Sequence, residues 1–246
     1  MVRVPGTPQT GNKAILRAYT PISHSAGQLV LLIKVYRDLG VDGQRGGVMS
    51  QELDKLIPGE SEVAIKGPIG RFTYHSDTPL TNVEFSGSAP RRVQNFLMVC
   101  AGTGITPIYQ VLESIAHTPQ DSSVRCFVAY GNRNEDDMLC REELDKLLCL
   151  PGARDRIKIV HTLSGKVKTA GLSETEGGAE VRRGRVSAEL VEEAYRWLGE
   201  GREGGQGGMM VLACGPEGLE NGVKTWMKDE ERRSRWGIGE NDLCVF

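Results

Sequence analysis

Two hydrophobic periodicities succeed one another along the chain. Up to about residue 90 the apolar positions fall in short, β-branched runs, Leu29-Val30-Leu31-Leu32-Ile33-Lys34-Val35-Tyr36 and Glu62-Val63-Ala64-Ile65-Lys66, closed by the turn signals Asp42-Gly43, Pro58-Gly59 and Gly67-Pro68. No long helical pattern appears before residue 100, so a small antiparallel β-barrel or sandwich is expected. Ser86-Gly87-Ser88-Ala89-Pro90 then interrupts the pattern, and we set the boundary between a first domain, 1–90, and a second, 91–246, there. Beyond it strands and helices alternate. The apolar strand Phe96-Leu97-Met98-Val99-Cys100 leads through a glycine-rich turn into a helix with Ile105, Ile108, Val111, Leu112 and Ile115 at helical spacing. A strand over 124–130, a charged helix through Leu144, Leu147 and Leu148, and a third strand over 157–160 follow. Ser187 is expected to cap a helix burying Leu190, Val191, Ala194 and Leu198, and Met209 to Ala213 to form the last well-defined buried strand. Such alternation implies an α/β domain with a parallel sheet. The polar segments 164–183 and 199–208 read as surface loops.

Length and composition narrow the class. A chain of 246 residues is long enough for two domains of ordinary size. A net charge of −2 leaves no basic face for nucleic acid. The longest apolar stretch, Leu29 to Val35, is far short of the roughly 20 residues that span a bilayer, so no membrane is expected. The N-terminal residues lack a secretory signal, and a cytoplasmic location is the expectation. Six cysteines without a CxxC pair read as reduced, buried thiols, with Cys214 set apart and no metal framework. Four scattered histidines and the lack of a nucleophile elbow disfavour hydrolase chemistry.

Four places carry candidate chemistry. Gly102-Thr103-Gly104-Ile105-Thr106-Pro107 joins a buried strand to a helix N-terminus, where free amides and the helix dipole favour a diphosphate; the same glycines would equally serve a tight turn with no ligand. Cys214-Gly215-Pro216-Glu217 follows a buried strand, the end at which open α/β sheets bind ligands, or else simply ends that strand. Arg17 and Tyr19 share a strand face suited to a phosphorylated planar ligand, although such a pair is also common on exposed strands. Ser50, after Gly46-Gly47-Val48-Met49, would cap a short helix that aims amides at a second phosphate, or act as a plain cap.

In this order and spacing the motifs resemble the ferredoxin-reductase-like flavoproteins, specifically the cytochrome-b5-reductase branch and the reductase portions of fungal assimilatory nitrate reductases. The matching text is Arg17-Ala18-Tyr19-Thr20-Pro21-Ile22-Ser23, Ile33-Lys34-Val35-Tyr36, Gly46 to Ser50, Lys66-Gly67-Pro68-Ile69-Gly70-Arg71-Phe72, Gly102 to Pro107, Asn132 to Leu144, Cys214 to Glu217 and Cys244-Val245-Phe246. The resemblance implies an FAD-binding barrel followed by a nicotinamide-binding α/β domain, with NADPH or NADH as electron donor. It implies that Arg17 pairs with the FAD diphosphate, Tyr19 packs on the flavin and Thr20 bonds near its reactive edge, and that Ser23, Lys34 and Tyr36 join that site. Gly47, Met49 and Ser50 would hold the diphosphate; Gly102, Thr103, Gly104 and Thr106 would cradle the dinucleotide, with Arg133 beside it. Cys214, Gly215 and Pro216 would face the nicotinamide, and Cys214, Thr20 and Lys34 form the implied catalytic set. The acceptor would be a b-type haem domain or cytochrome b5, and any homodimer would form through domains absent from this chain.

Two departures from the family pattern qualify these expectations. Only sixteen residues precede Arg17, where relatives have further strands, so the barrel is expected to be truncated at its N-terminus, and the intact Cys244-Val245-Phe246 ending to be complete. After the third α/β strand the chain reads His161-Thr162-Leu163-Ser164-Gly165-Lys166, without the carboxylate that bonds a ribose hydroxyl in NADH-preferring relatives; Arg133 and Lys166 nearby tilt the expectation to NADPH. A free-standing cytochrome-b5 reductase, and a degenerate fragment that no longer holds FAD, are the competing readings.

Overall fold

The computed structural model describes residues 1–25, 27–38, 46–76, 82–85, 87–118, 123–165, 173–199 and 208–246. Its contacts divide the chain into two compact units, Met1–Gly70 and Arg71–Phe246, earlier than the composition break at 86–90.

The first unit contains β1 (Val2–Val4), β2 (Ile15–Arg17), β3 (Pro21–Ser25), β4 (Gln28–Leu31), α1 (Val48–Asp54) and β5 (Ala64–Ile65). β1 lies between β2 and β5, antiparallel to both, with Val4 opposite Ile15 and Val2 opposite Ile65. Alternation puts Val2 and Val4 on one face, where they and Ile15 meet Met49 of α1 in a small core edged by Tyr19, Leu31, Val48, Leu53 and Val63. β3 and β4 form an antiparallel hairpin. The run that reads as one strand to Tyr36 pairs only as far as Leu31. Past it the Tyr36 backbone serves α1 instead: its N–H donates to Ser50 Oγ (3.1 Å) and its carbonyl accepts from Gly47 N–H (2.8 Å). β1 was not anticipated, because three residues are too few to show a period.

The second unit opens with the antiparallel hairpin β6 (Phe72–Tyr74) and β7 (Val83–Phe85). Then come β8 (Asn95–Ala101), α2 (Ile105–Ala116), β9 (Arg125–Asn132), α3 (Arg141–Leu148), α4 (Ala153–Arg156), β10 (Ile157–Leu163), β11 (Glu180–Arg183), α5 (Ala188–Gly199), β12 (Met209–Cys214), α6 (Glu217–Lys228), α7 (Glu230–Trp236) and β13 (Leu243–Val245). β8 to β13 make a six-stranded parallel sheet in the order β11-β10-β9-β8-β12-β13. The expected order of architecture therefore holds: small antiparallel sheets first, then parallel α/β. Leu97, Val99, Phe127, Ala129, Val211 and Ala213 on one sheet face pack under Leu190, Val191, Ala194 and Leu198 of α5, with Val223, Met227 and Trp236 from α6 and α7. All five apolar positions read for α2 and all four for α5 are buried.

Four readings of this half need correction. The segment 164–183 is not all loop, since Glu180–Arg183 pairs in parallel with β10; residues 166–172, with Lys166, lie outside the described residues. Gly199 closes α5, and 200–207 also lie outside them. β12 is followed by a further strand, β13, formed by the Cys244-Val245 ending. Among the cysteines, Cys149 is exposed rather than buried, because it ends α3 at the surface; none forms a disulfide.

Candidate functional site

In the first unit Tyr36 meets Gly47 and Ser50 at the start of α1, and Tyr19 packs with Val48 and Met49 in the small core. Arg17 ends β2 with its guanidinium exposed, one N–H donating to the Leu16 carbonyl (2.8 Å). Tyr19 lies just past the strand, half-buried against the small core, and burial raises its phenol's pKa, with Arg17 lowering it and Tyr36 raising it. These two charge effects set Arg17, Tyr19 and Tyr36 in one neighbourhood. Lys34 Nζ lies over the Tyr36 ring, 5.7 Å from its centre. Thr20 is half-buried beside Tyr19, whereas Ser23 is exposed on β3.

The expected role of Ser50 as the helix cap is corrected. Gly47 is the N-cap, and Ser50, one turn in and buried, donates its hydroxyl to the Gly47 carbonyl (2.9 Å). Among the described residues no side chain caps α1, so its first amides are available as donors for an anion. Met49 is buried, so only its backbone is available to a ligand.

In the second unit the geometry follows from strand order. From β8 the chain winds to β9 and β10 on one side, then returns across the sheet to place β12 against the opposite edge of β8. The neighbouring C-terminal ends of β8 and β12 thus form the switch point at which open α/β sheets bind ligands. Gly102-Thr103-Gly104 leaves β8 there as a single 3-10 turn into α2, and Cys214-Gly215-Pro216 leaves β12 beside it, Cys214 level with Cys100. The two turns touch through backbone: a Cβ on Gly104 would stand 2.2 Å from the Cys214 carbonyl oxygen and 3.0 Å from the Gly215 nitrogen. Among the described residues no side chain caps the start of the 3-10 turn or of α2. A backbone cradle that a Cβ would fill, set at a helix N-terminus, fits a dinucleotide diphosphate.

Family models match both halves. Residues 98–225 match the oxidoreductase NAD-binding domain and residues 2–74 the oxidoreductase FAD-binding domain. The chain belongs to the oxidoreductase NAD-binding domain family. Its relatives include the nitrate reductase (NADPH) of Beauveria bassiana, 44% identical over 87% of this chain and 22% of that protein. The nitrate reductase (NADPH) of Neurospora crassa is 39% identical over 100% of this chain and 23% of its own. The chain therefore spans less than a quarter of these relatives' length. Among solved structures, the cytochrome b5 reductase domain of Ulva prolifera nitrate reductase superposes with a TM-score of 0.72 at 27% identity, over 100% of this chain and 82% of that one. This oxidoreductase thus carries FAD- and NAD-binding domains in a ferredoxin-reductase-like fold.

Within the NAD-binding half the remaining predicted residues are disposed unevenly. Thr106, buried in the first turn of α2, donates its hydroxyl to the Thr103 carbonyl (3.2 Å), which ties the turn together. Arg133 is exposed just past β9, and the Gly165 N–H donates to its carbonyl (2.7 Å), which joins the ends of β9 and β10. Cys214 is half-buried, and burial, then Glu220, pushes its thiol up to about 11. It stays protonated at neutral pH and packs rather than attacks. Pro216 is the exposed N-cap of α6, and Gly215 N–H donates to Glu220 Oε1 (3.4 Å). The sequence did not single out Tyr130, whose hydroxyl donates to the Gly102 carbonyl (3.0 Å). Inside an apolar run it reads as core, and only its polar tip hinted otherwise.

Among the described residues no helix is long and apolar enough to cross a membrane, and no cluster of side chains could hold a metal ion.

Proposed function

We propose that the chain is an electron-transfer module that takes two electrons from NAD(P)H into FAD and delivers them singly to a haem-type acceptor. The touching of the Gly102–Gly104 and Cys214–Pro216 turns at the sheet's switch point carries this reading. When bound, FAD supplies the chemistry, accepting a hydride and releasing electrons one at a time. The protein's own part is to bind and align. Gly102, Thr103, Gly104 and Thr106 hold the dinucleotide, and the protonated Cys214 thiol, with Gly215 and Pro216, shapes the nicotinamide end. Arg17 balances the FAD diphosphate at the uncapped start of α1 with Gly47, Met49 and Ser50. Tyr19, Thr20, Ser23, Lys34 and Tyr36 line the flavin side, with Thr20 and Lys34 nearest the reactive ring. The flavin role is proposed for 1–90 and the nicotinamide role for 91–246, and the two family matches fall inside those ranges.

The acceptor proposed is a b-type haem domain or cytochrome b5, and the setting a cytoplasmic one. Relatives named as nitrate reductases favour the haem domain of such an enzyme over a free-standing cytochrome-b5 reductase. NADPH is the proposed donor, because Ser164 and Gly165 follow β10 where a carboxylate would repel a 2′-phosphate, and Arg133 is at hand. The purified chain should be yellow with bound FAD and reduce ferricyanide faster with NADPH than with NADH. Colourless protein that ignores added FAD would overturn the function, and equal or faster turnover with NADH the donor preference alone.

Cys214→Ser is expected to slow flavin reduction by about tenfold with FAD still bound, since the smaller, more polar group disturbs the nicotinamide pose alone. Stopped-flow reduction at the wild-type rate would remove Cys214 from the site.

A further inference from the structure

The turn between β8 and α2 is held from behind by a residue that touches no ligand in the reading above. Tyr130, near the end of β9, is fully buried, and its hydroxyl reaches two backbone carbonyls: Gly102 at 3.0 Å and Leu139 at 3.3 Å. Gly102 opens the 3-10 turn in the left-handed region, φ 54°, and its carbonyl also accepts from Ile105 N–H at the start of α2. Leu139 precedes Cys140, the N-cap of α3, which is itself left-handed at φ 55°. One phenol thus ties together the two loops that leave β8 and that connect β9 to α3.

The phenol is suited to be a permanent donor. Burial drives its pKa far above the usual tyrosine range, so it keeps its proton at any pH at which the protein folds. Its ring is fixed from the next strand by His161, directly level with it on β10, with ring centres 5.4 Å apart. A hydroxyl so constrained can do little except hold the peptide planes of Gly102 and Leu139 in one orientation. The Gly102 carbonyl shares its peptide plane with the Thr103 N–H, so holding one fixes the direction of the other.

We infer that Tyr130 is a positioning residue for the dinucleotide-binding turn, acting through the Gly102 carbonyl, an inference that rests on the reading of Gly102–Thr106 as the dinucleotide cradle. It predicts an effect on affinity for the nicotinamide dinucleotide with no effect on the rate once the dinucleotide is bound.

Tyr130→Phe keeps the ring against His161 and removes only the hydroxyl. On the full chain, NADP+ and NAD+ are titrated by calorimetry, and backbone hydrogen exchange is followed in parallel. Dinucleotide affinity should fall about fivefold, the size expected for one buried hydrogen bond, and KM should rise with kcat unchanged. Exchange should accelerate over residues 102–106 and 139–141 while Leu97–Val99 in β8 stay protected. Equal acceleration in β8 would mean that Tyr130 is merely structural, and would overturn the proposal. An affinity change below about twofold would also overturn it, provided that Gly104→Ala weakens binding. If neither variant changes affinity, the turn is not the dinucleotide site, and the functional reading fails together with the proposal.

Discussion

Gly104→Ala is expected to lower kcat/KM for flavin reduction by NADPH by about two orders of magnitude while FAD stays bound. Gly104 has ordinary right-handed helical angles, φ −63° and ψ −6°, so alanine costs nothing in local conformation. The obstacle is space. The added Cβ would lie 2.2 Å from the Cys214 carbonyl oxygen and 2.6 Å from its carbon, and both are backbone atoms of the central strand pair that cannot rotate away. The start of α2 must therefore lift off the end of β12, by about the ångström or more that restores van der Waals contact. That movement separates the two turns which together would hold the diphosphate and the nicotinamide, and a misplacement of about 1 Å can cost about 100-fold in rate. Stopped-flow absorbance of bound FAD, with NADPH varied, measures the effect directly; a kcat/KM within about threefold of wild type would refute the close-approach argument.

The same contact marks the limit of what the sequence could disclose. Each glycine motif was visible, and so was its place at the end of a strand, because an apolar run meeting a glycine turn and then a 3.6-residue period is a local signal. Ile105, Ile108, Val111, Leu112 and Ile115 announced α2 in the same way, as Leu190, Val191, Ala194 and Leu198 announced α5. Strand order is not local. That β12 returns to the free edge of β8, bringing Gly104 onto Cys214, depends on the whole sheet and leaves no trace in either motif. The first unit was harder still. Val2-Arg3-Val4 is too short to show alternation, and the apolar residues beyond Leu31 look like strand although the Tyr36 backbone is committed to α1. Ser50 was read as a cap by type, but Gly47 holds that position and leaves the first amides of α1 uncapped. Tyr130 and His161 escaped for a different reason: a polar tip within a buried strand has the hydrophobic pattern of its neighbours, and what it touches, the Gly102 and Leu139 carbonyls for Tyr130 and the Tyr130 ring for His161, lies outside its own strand.

His161 yields the second large effect, on stability. It is fully buried on β10, and neither ring nitrogen has a hydrogen-bond partner among the described residues. Burial, with the positive charge of Arg141 adding to it, lowers its pKa from 6.5 to about 4. Folding therefore keeps a neutral imidazole that the unfolded chain would protonate below pH 6.5. The unfolded state binds more protons between those two values, so this contribution to stability is fully present above pH 6.5 and is lost as pH falls towards 4. A shift of this size corresponds to about 3 kcal/mol across the window. His161→Leu removes the titrating group at similar volume, and also removes two buried nitrogens that have no partner, so at neutral pH the variant should be within about 1 kcal/mol of wild type or more stable. Its advantage should then widen by about 3 kcal/mol on acidification, as carboxylates common to both proteins cancel in the difference. Tryptophan fluorescence reports on the right part of the molecule, since Trp197, Trp226 and Trp236 all lie in the second unit. Urea midpoints followed by that signal at about pH 7 and about pH 4.5 would separate the two cases: parallel profiles for wild type and variant would mean that His161 is protonated in the folded protein or reached by water.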